Sequence, residues 1–122
     1  MKKLLYTCPC CGYRTFSDMP GSYKICHVCF WEDNLVQLLN PWFVGCPNEP
    51  SLAEAQENFV WIGASDARGK QFVRGVLPGD EKDPKWRLAE EADHAFARRP
   101  CDIEDEEIRK LGVLYYWLRN PM

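Results

Sequence analysis

The clearest alternation of hydrophobic and polar positions lies in the middle of the chain, over residues 51–63. Four apolar residues recur there at helical spacing: Leu52, Ala55, Phe59 and Ile62. They would share one face of a helix and pack against a core. Ser51 and Glu54 have the spacing of a capping box, in which each side chain binds a free backbone N–H at the helix start. The pattern therefore predicts an α-helix that ends near Gly63.

Two further helices are predicted in a C-terminal helical extension over residues 85–118. The first covers 85–99 and ends before Pro100, and the second runs from Asp102 to about Leu118. Acidic residues over 104–107 would suit the positive end of the second helix dipole. Its later part, 113–118, is apolar around most of the helix circumference, which indicates either deep burial or an interface.

The N-terminal residues 4–31 show a different pattern, with short apolar runs around pairs of cysteines. Segments 4–7 and 13–16 flank the first pair, and segments 23–25 and 30–31 flank the second pair. Two short hairpins, each with a cysteine pair at its tip, are typical of a zinc ribbon. Residues 32–50 and 64–84 are rich in proline and glycine and read as irregular or loop segments.

Composition limits the class of protein. With 122 residues, 46% of them hydrophobic and five tryptophans, the chain can form one domain over 1–122 with a real core. No apolar run approaches the roughly 20 residues that span a bilayer, and the basic N-terminus lacks the apolar stretch of a signal peptide. We therefore expect a cytoplasmic protein. The expected fold is small α+β, with an N-terminal four-cysteine zinc ribbon packed against about three α-helices.

The cysteines provide the strongest chemical signal. Five of the seven lie within the first 29 residues, and Cys8 and Cys11 are separated by fourteen residues from Cys26 and Cys29. A disulfide framework normally uses an even number of cysteines spread along the chain, and a redox motif would need a thioredoxin-like context. Four thiolates suit tetrahedral zinc, and rubredoxin-like iron is the remaining metal alternative. We predict one zinc ion per chain.

A shell of four thiolates leaves no position for substrate or water, so this zinc would be structural rather than catalytic. Cys10 and His27 lie inside the two cysteine turns and are not expected to be ligands. Cys46 and Cys101 are expected to be plain buried residues. The pattern assigns no role to Cys10, Cys46 or Cys101.

The stretch Cys8-Pro-Cys-Cys-Gly-Tyr13, followed by Gly-Ser-Tyr-Lys-Ile-Cys-His-Val-Cys-Phe-Trp-Glu-Asp over 21–33, resembles the bacterial cysteine-rich CPCC family. The resemblance continues to about residue 74. It implies a small bacterial protein with a zinc site and no established activity. This chain departs from the family at Cys46, where a small residue such as glycine is usual, and residues 80–122 extend beyond the shared region.

The remaining side chains favour binding over catalysis. The histidines, His27 and His94, have no supporting catalytic context. We expect a non-enzymatic protein-interaction module whose partner is a protein. In its sharpest form it is an immunity protein that neutralises a basic toxin or nuclease by direct binding. The candidate partner-binding residues are Asp105, Glu106 and Tyr116.

Two alternatives stay open at this point. One is a nucleic-acid-binding ribbon that contacts phosphates through four basic residues near the cysteines: Lys2, Lys3, Arg14 and Lys24. The net charge of −3 and the sequence pI of about 5.4 count against it. The other is a domain with no partner-specific role that the residues identify.

Overall fold

The computed structural model describes residues 4–119. Its N-terminal unit contains a two-stranded antiparallel sheet, in which β1 (Tyr6–Thr7) pairs with β2 (Arg14–Phe16). Tyr6 lies opposite Phe16, and the register shifts between Tyr6 and Thr7. The predicted first hairpin is therefore present. The second is reduced to a single antiparallel bridge between Ile25 and Glu32.

The free edge of β2 is covered by a segment from much later in the chain. The Arg14 N–H donates to the Glu81 carbonyl at 2.9 Å, and the Asp83 N–H donates to the Gly12 carbonyl at 2.8 Å. Tyr13 and Lys82 form an antiparallel bridge between these two bonds. Residues 81–83 thus join the sheet and bring the C-terminal third of the chain against the cysteine unit.

A short helix, α1 (Leu35–Leu39), lies in the stretch that the sequence pattern left irregular. Asn34 caps it, since its Oδ1 accepts a 2.8 Å hydrogen bond from the Gln37 N–H. Five residues make less than two turns, so no hydrophobic period can be recognised over that length. The side chains of Gln37, Leu38 and Leu39 are buried.

The predicted central helix is confirmed as α2 (Leu52–Ile62). The capping box has both of its bonds. The Glu54 N–H donates to Ser51 Oγ at 3.1 Å, and the Ser51 N–H donates to Glu54 Oε1 at 3.0 Å. Gly63 ends the helix in the left-handed region, with φ +77°.

The prediction of two long helices over 85–118 is wrong. The described residues of this region form α3 (Leu111–Leu114) and four 3₁₀ segments: Glu91–Phe96, Pro100–Asp102, Glu107–Arg109 and Tyr116–Leu118. Extended residues at Ile103, Lys110 and Tyr115 interrupt the helical path. The break allows four consecutive residues, 114–117, to be buried, whereas a straight helix on the protein surface can bury only one stripe.

One hydrophobic cluster contains the five N-terminal cysteines, Trp31, the buried apolar residues of α1 and α2, and residues 114–117. The N-terminal and C-terminal parts of the chain therefore share a core, with the cysteine sulfurs inside it. No helix within residues 4–119 is long and apolar enough to cross a bilayer.

Candidate metal centre

Four sulfur atoms converge in the core at the tips of the two cysteine turns. The Sγ atoms of Cys8, Cys11, Cys26 and Cys29 all lie within 4.8 Å of one another. Cys8 Sγ is 3.6 Å from Cys29 Sγ, and Cys11 Sγ is 3.9 Å from Cys26 Sγ. All four side chains are at most 1% exposed. Within residues 4–119, no other group of histidine, cysteine and acidic side chains converges in this way.

The sulfur separations fit a tetrahedral thiolate site. A Zn–S bond of about 2.3 Å places the sulfurs of a regular tetrahedron about 3.8 Å apart, and the Cys8–Cys29 and Cys11–Cys26 separations lie on either side of that value. A disulfide needs an S–S distance of about 2.05 Å, so these cysteines are free thiols. Neither pair begins a helix, as a redox Cys-x-x-Cys motif would.

The two cysteine turns have the same backbone hydrogen bonds. The Gly12 N–H donates to the Cys8 carbonyl and the Phe30 N–H donates to the Cys26 carbonyl, both at 2.8 Å. The residue after each second cysteine is left-handed, with φ +81° at Gly12 and φ +75° at Phe30. In the first turn, the glycine after the second cysteine indicates this left-handed conformation from the sequence alone. The second turn has the same shape with a phenylalanine, which only the structure reveals.

Tight packing from distant segments holds both left-handed positions. A Cβ on Gly12 would lie 2.6 Å from the Trp86 ring, and a Cβ on Gly69 would lie 2.3 Å from the Phe30 ring. The Phe72 ring stacks on the Phe30 ring, with centroids 5.4 Å apart. The turns are thus fixed by the rest of the fold as well as by their own hydrogen bonds.

Burial and hydrogen bonds shift the pKa values of Cys8, Cys26 and Cys29. Burial, together with hydrogen bonds among the cysteines, raises the pKa of Cys8 and Cys29 well above the usual range. Hydrogen bonds, first of all with Cys11, lower the pKa of Cys26, and Thr15 Oγ1 lies 3.2 Å from its sulfur. A metal ion must therefore displace protons from buried thiols, so its affinity will fall as the pH falls.

The other three cysteines do not join the metal centre. Cys10 is fully buried inside the first turn, and burial raises its pKa. Cys46 and Cys101 are exposed, so the expectation that they are buried residues is wrong. Cys46 lies in a turn, and Cys101 lies in the 3₁₀ segment Pro100–Asp102. His27 is also exposed and lies outside the sulfur group.

A buried hydrogen-bond network connects the first cysteine turn to α2 and the C-terminal segment. The Pro9 carbonyl accepts from Gln56 Nε2 at 2.9 Å and from Trp86 Nε1 at 2.8 Å. Gln56 Nε2 also donates to the Tyr116 hydroxyl at 2.8 Å, and that hydroxyl donates to the Arg87 carbonyl. Sequence reasoning missed Gln56, although it follows Leu52 by four residues on the inner face of α2.

Tyr116 is therefore corrected from a partner-binding residue to a core residue. Its side chain is 0% exposed, and burial raises its pKa well above the usual range. An aromatic residue with a polar tip can be fully buried when that tip has partners, and Gln56 and Arg87 supply them. Asp105 and Glu106 are exposed, just before the 3₁₀ segment Glu107–Arg109. They do not begin a long helix.

A second buried support lies beside the second cysteine turn. The Asp33 carboxylate accepts from the backbone N–H groups of Gly21 and Ser22, both at 2.9 Å, and from Ser22 Oγ at 2.8 Å. Burial raises the pKa of Asp33, although these hydrogen bonds act against the rise. The carboxylate thus closes the loop that leads from the first turn to the second.

The sequence model of the family described as Cysteine-rich CPCC matches residues 6–80, which is more than half of the chain. The chain belongs to the cysteine-rich CPCC family. The CPCC region contains the four cysteines, α1, α2 and Gln56, whereas Trp86 and Tyr116 lie beyond it. A search of curated proteins gave no significant match.

Proposed function

We propose that this CPCC protein is a non-enzymatic protein-interaction module whose fold is stabilised by one structural zinc ion per chain. The observation that carries the metal assignment is the set of four buried sulfurs at separations of 3.6–3.9 Å across two pairs. Cys8, Cys11, Cys26 and Cys29 would hold the ion. The positive charge of the ion would stabilise the deprotonated form of these buried thiols.

Geometry does not separate zinc from iron, because both metals accept four thiolates. We favour zinc because a closed shell of four thiolates is typical of structural zinc sites. Elemental analysis of protein purified from zinc- and iron-supplemented medium tests this assignment. We expect about one zinc per chain and a colourless protein, and cobalt substitution should give the absorption of a tetrahedral thiolate complex. Red, iron-loaded protein from both media would assign the site to iron.

A matched pair of variants tests the ligand set. Cys26→Ser removes a buried ligand and should abolish stoichiometric zinc binding, whereas Cys46→Ser changes an exposed cysteine and should keep it. Because metal binding and folding are coupled in such sites, Cys26→Ser should also lower the melting temperature strongly. Equal zinc contents in the two variants would contradict the ligand assignment.

The interaction role is supported by what the surface offers. The net charge is −3, and acidic residues over 102–106 are exposed. Several large apolar side chains are also exposed, including Trp61 at 83%. A basic protein partner suits such a surface, because opposite potentials steer association. In its sharpest form the proposal is a bacterial immunity protein that binds a basic toxin or nuclease.

The basic residues near the cysteines favour this proposal over nucleic-acid binding. Arg14 faces Glu81 and Asp83, and Lys24 pairs with Asp18. Lys2 and Lys3 lie outside the described residues. Two of the four candidate phosphate contacts are therefore already paired with carboxylates, which leaves little charge for a nucleic acid.

The test of the interaction role uses the zinc-loaded protein as bait and surface plasmon resonance on each protein it retains. The double variant Asp105→Lys with Glu106→Lys should slow association at low salt, because charges at the rim of an interface act mainly on that rate. A partner bound with unchanged rates would show that this acidic stretch is not part of the interface. Tight duplex binding with a steep salt dependence, instead of a protein partner, would favour the nucleic-acid alternative.

A further inference from the structure

A groove beside α2 is lined by apolar side chains and by two exposed carboxylates. It has a volume of about 450 Å³, and its lining combines residues of α2 with Trp42 and residues 88–89. Glu54 and Glu57 line it, and neither lysine nor arginine does. This volume lies within the range of side-chain and small-ligand sites.

The two carboxylates differ from most acidic groups of this protein. Within residues 4–119, Glu57 has no hydrogen-bond or ion-pair partner, and Glu54 uses its Oε1 atom for the capping box. By contrast, Asp80 and Asp93 are each held by two nitrogens of an arginine. The groove therefore has negative charge that no cation within residues 4–119 neutralises.

The apolar part of the groove is suited to a flat cation. Trp42 is half-buried, and the His94 ring stacks against it with centroids 3.5 Å apart, which fixes the orientation of the indole. Leu88, which also lines the groove, is 46% exposed. A guanidinium group is planar, stacks on aromatic rings and bonds carboxylates in pairs, whereas an ammonium group cannot do both.

We propose that this groove, defined by Trp42, Glu54, Glu57 and Leu88, binds an arginine side chain of a protein partner. The proposal rests on the proposed function, since it gives the interaction a site and a recognised chemistry. The arginine side chain would lie between Leu88 and Trp42, and its guanidinium would pair with Glu57. The phosphates of a nucleic acid would be repelled by the same carboxylates.

The surface next to the groove would extend the contact. Trp61 follows Glu57 by one helical turn, so the two side chains are neighbours on α2. Trp61 and Val60 are 83% and 68% exposed. Tryptophan is enriched among the residues that dominate interface energetics. A partner segment whose arginine occupies the groove can therefore also pack against these apolar side chains of α2.

The probe for this site is the acetylated, amidated tripeptide Ala-Arg-Ala, titrated into zinc-loaded, ¹⁵N-labelled protein and followed by NMR. Signals of the Trp42 indole and of the α2 and Leu88 amides should shift and saturate, with a Kd of about a millimolar, as expected for one side chain. The isosteric citrulline tripeptide, which has no charge, should give no saturable shift at these signals. Equal binding of both peptides, or shifts only at residues 104–107, would overturn the proposal.

Matched variants complete the test. Glu57→Gln should weaken the arginine peptide by about two- to fivefold, the range of an exposed ion pair. Glu54→Gln adds to this loss and keeps the capping box, because glutamine is accepted at that position. Glu106→Gln, an exposed acidic residue outside the groove, should leave the affinity unchanged. If Glu57→Gln and Glu106→Gln behave alike in a folded protein, the groove does not select arginine.

The failure of this proposal can be separated from the failure of the proposed function. A protein partner that binds wild type and the Glu57→Gln, Glu54→Gln variant with the same affinity would refute the groove and leave the interaction module standing. A chain that saturably binds the arginine peptide but retains no protein partner would support the groove and contradict the interaction role.

Discussion

Tyr116→Phe is the sharpest test of the buried network that joins the metal centre to the C-terminal segment. The substitution removes one oxygen atom from a side chain that is 0% exposed and leaves the ring in place. The lost hydroxyl accepts a 2.8 Å hydrogen bond from Gln56 Nε2 and donates to the Arg87 carbonyl. Two groups therefore lose a partner at once.

The expected loss follows from where those two groups lie. Gln56 is 2% exposed, so water cannot replace the missing acceptor, although its Nε2 keeps the bond to the Pro9 carbonyl. The Arg87 carbonyl is half-buried and can regain part of its loss from water. A buried group without a partner costs about 1–3 kcal/mol. We expect Tyr116→Phe to lower the free energy of unfolding by about 2 kcal/mol.

Tyr115→Phe is the matched control, because Tyr115 is the adjacent residue and is also buried, at 3% exposure. Its hydroxyl makes one hydrogen bond of 3.3 Å, to the Thr7 carbonyl, so the expected loss is about 0.5–1 kcal/mol. Both variants are unfolded in urea at a fixed, buffered zinc concentration, because a bound metal would contribute to stability. Both should retain one zinc per chain.

The reasoning fails if Tyr116→Phe is no more destabilising than Tyr115→Phe. It also fails if Tyr116→Phe keeps wild-type stability but loses affinity for a protein partner, because the side chain would then belong to an interface. A larger loss in Tyr116→Phe with unchanged zinc content would establish the network as a stabilising link outside the metal shell.

Three other perturbations test separate parts of the structure. Gly12→Ala should lower the free energy of unfolding in urea by about 2 kcal/mol or more, because Gly12 has φ +81° and an added Cβ would lie 2.6 Å from the Trp86 ring. Wild-type stability of this variant would show that the contact is absent in solution. Cys10→Ser should keep one zinc per chain by elemental analysis, with a lower melting temperature because a hydroxyl replaces a fully buried thiol; loss of the metal would make Cys10 a ligand. Burial raises the pKa of Asp93, but hydrogen bonds from Arg87 outweigh this effect and hold the pKa below the usual range. The ionised Asp93 carboxylate therefore stabilises the fold above about pH 4. This stabilisation is lost as the pH falls through the lowered pKa. Asp93→Asn should therefore lower stability by about 1 kcal/mol between pH 5 and pH 8, and a difference in urea midpoint that grows below pH 4 would contradict this sign.

Local features of this fold could be predicted from the sequence because short-range chemistry determines them. A Cys-x-x-Cys turn brings its two sulfurs together through bonds within six residues, so the cysteine spacing was enough to predict the four-sulfur group. The capping box of α2 depends on Ser51 and Glu54 alone, and the structure has both of its bonds. The match to the CPCC family likewise rests on residues that are close together in sequence.

The path of residues 85–118 depends on contacts that no local pattern reveals. Trp86 and Ala89 form hydrogen bonds with Pro9 and Gln56, residues 77 and 33 positions away. The Ala89 bond occupies a backbone N–H that a helix would use for its i→i−4 bond, and the Trp86 indole bond holds this segment against the first cysteine turn. Helical periodicity therefore gave a wrong prediction here.

The same long-range contacts decided which apolar residues are core and which are surface. The sequence left the segment 113–118 open between burial and an interface, and the structure buries Tyr116 because Gln56 and Arg87 meet its hydroxyl. Cys46 and Cys101 were expected inside and lie outside, since small apolar residues carry little positional information. The sequence alone thus determined which four cysteines come together, through spacing. The tertiary structure decided the partners of buried polar groups, because those partners come from distant parts of the chain.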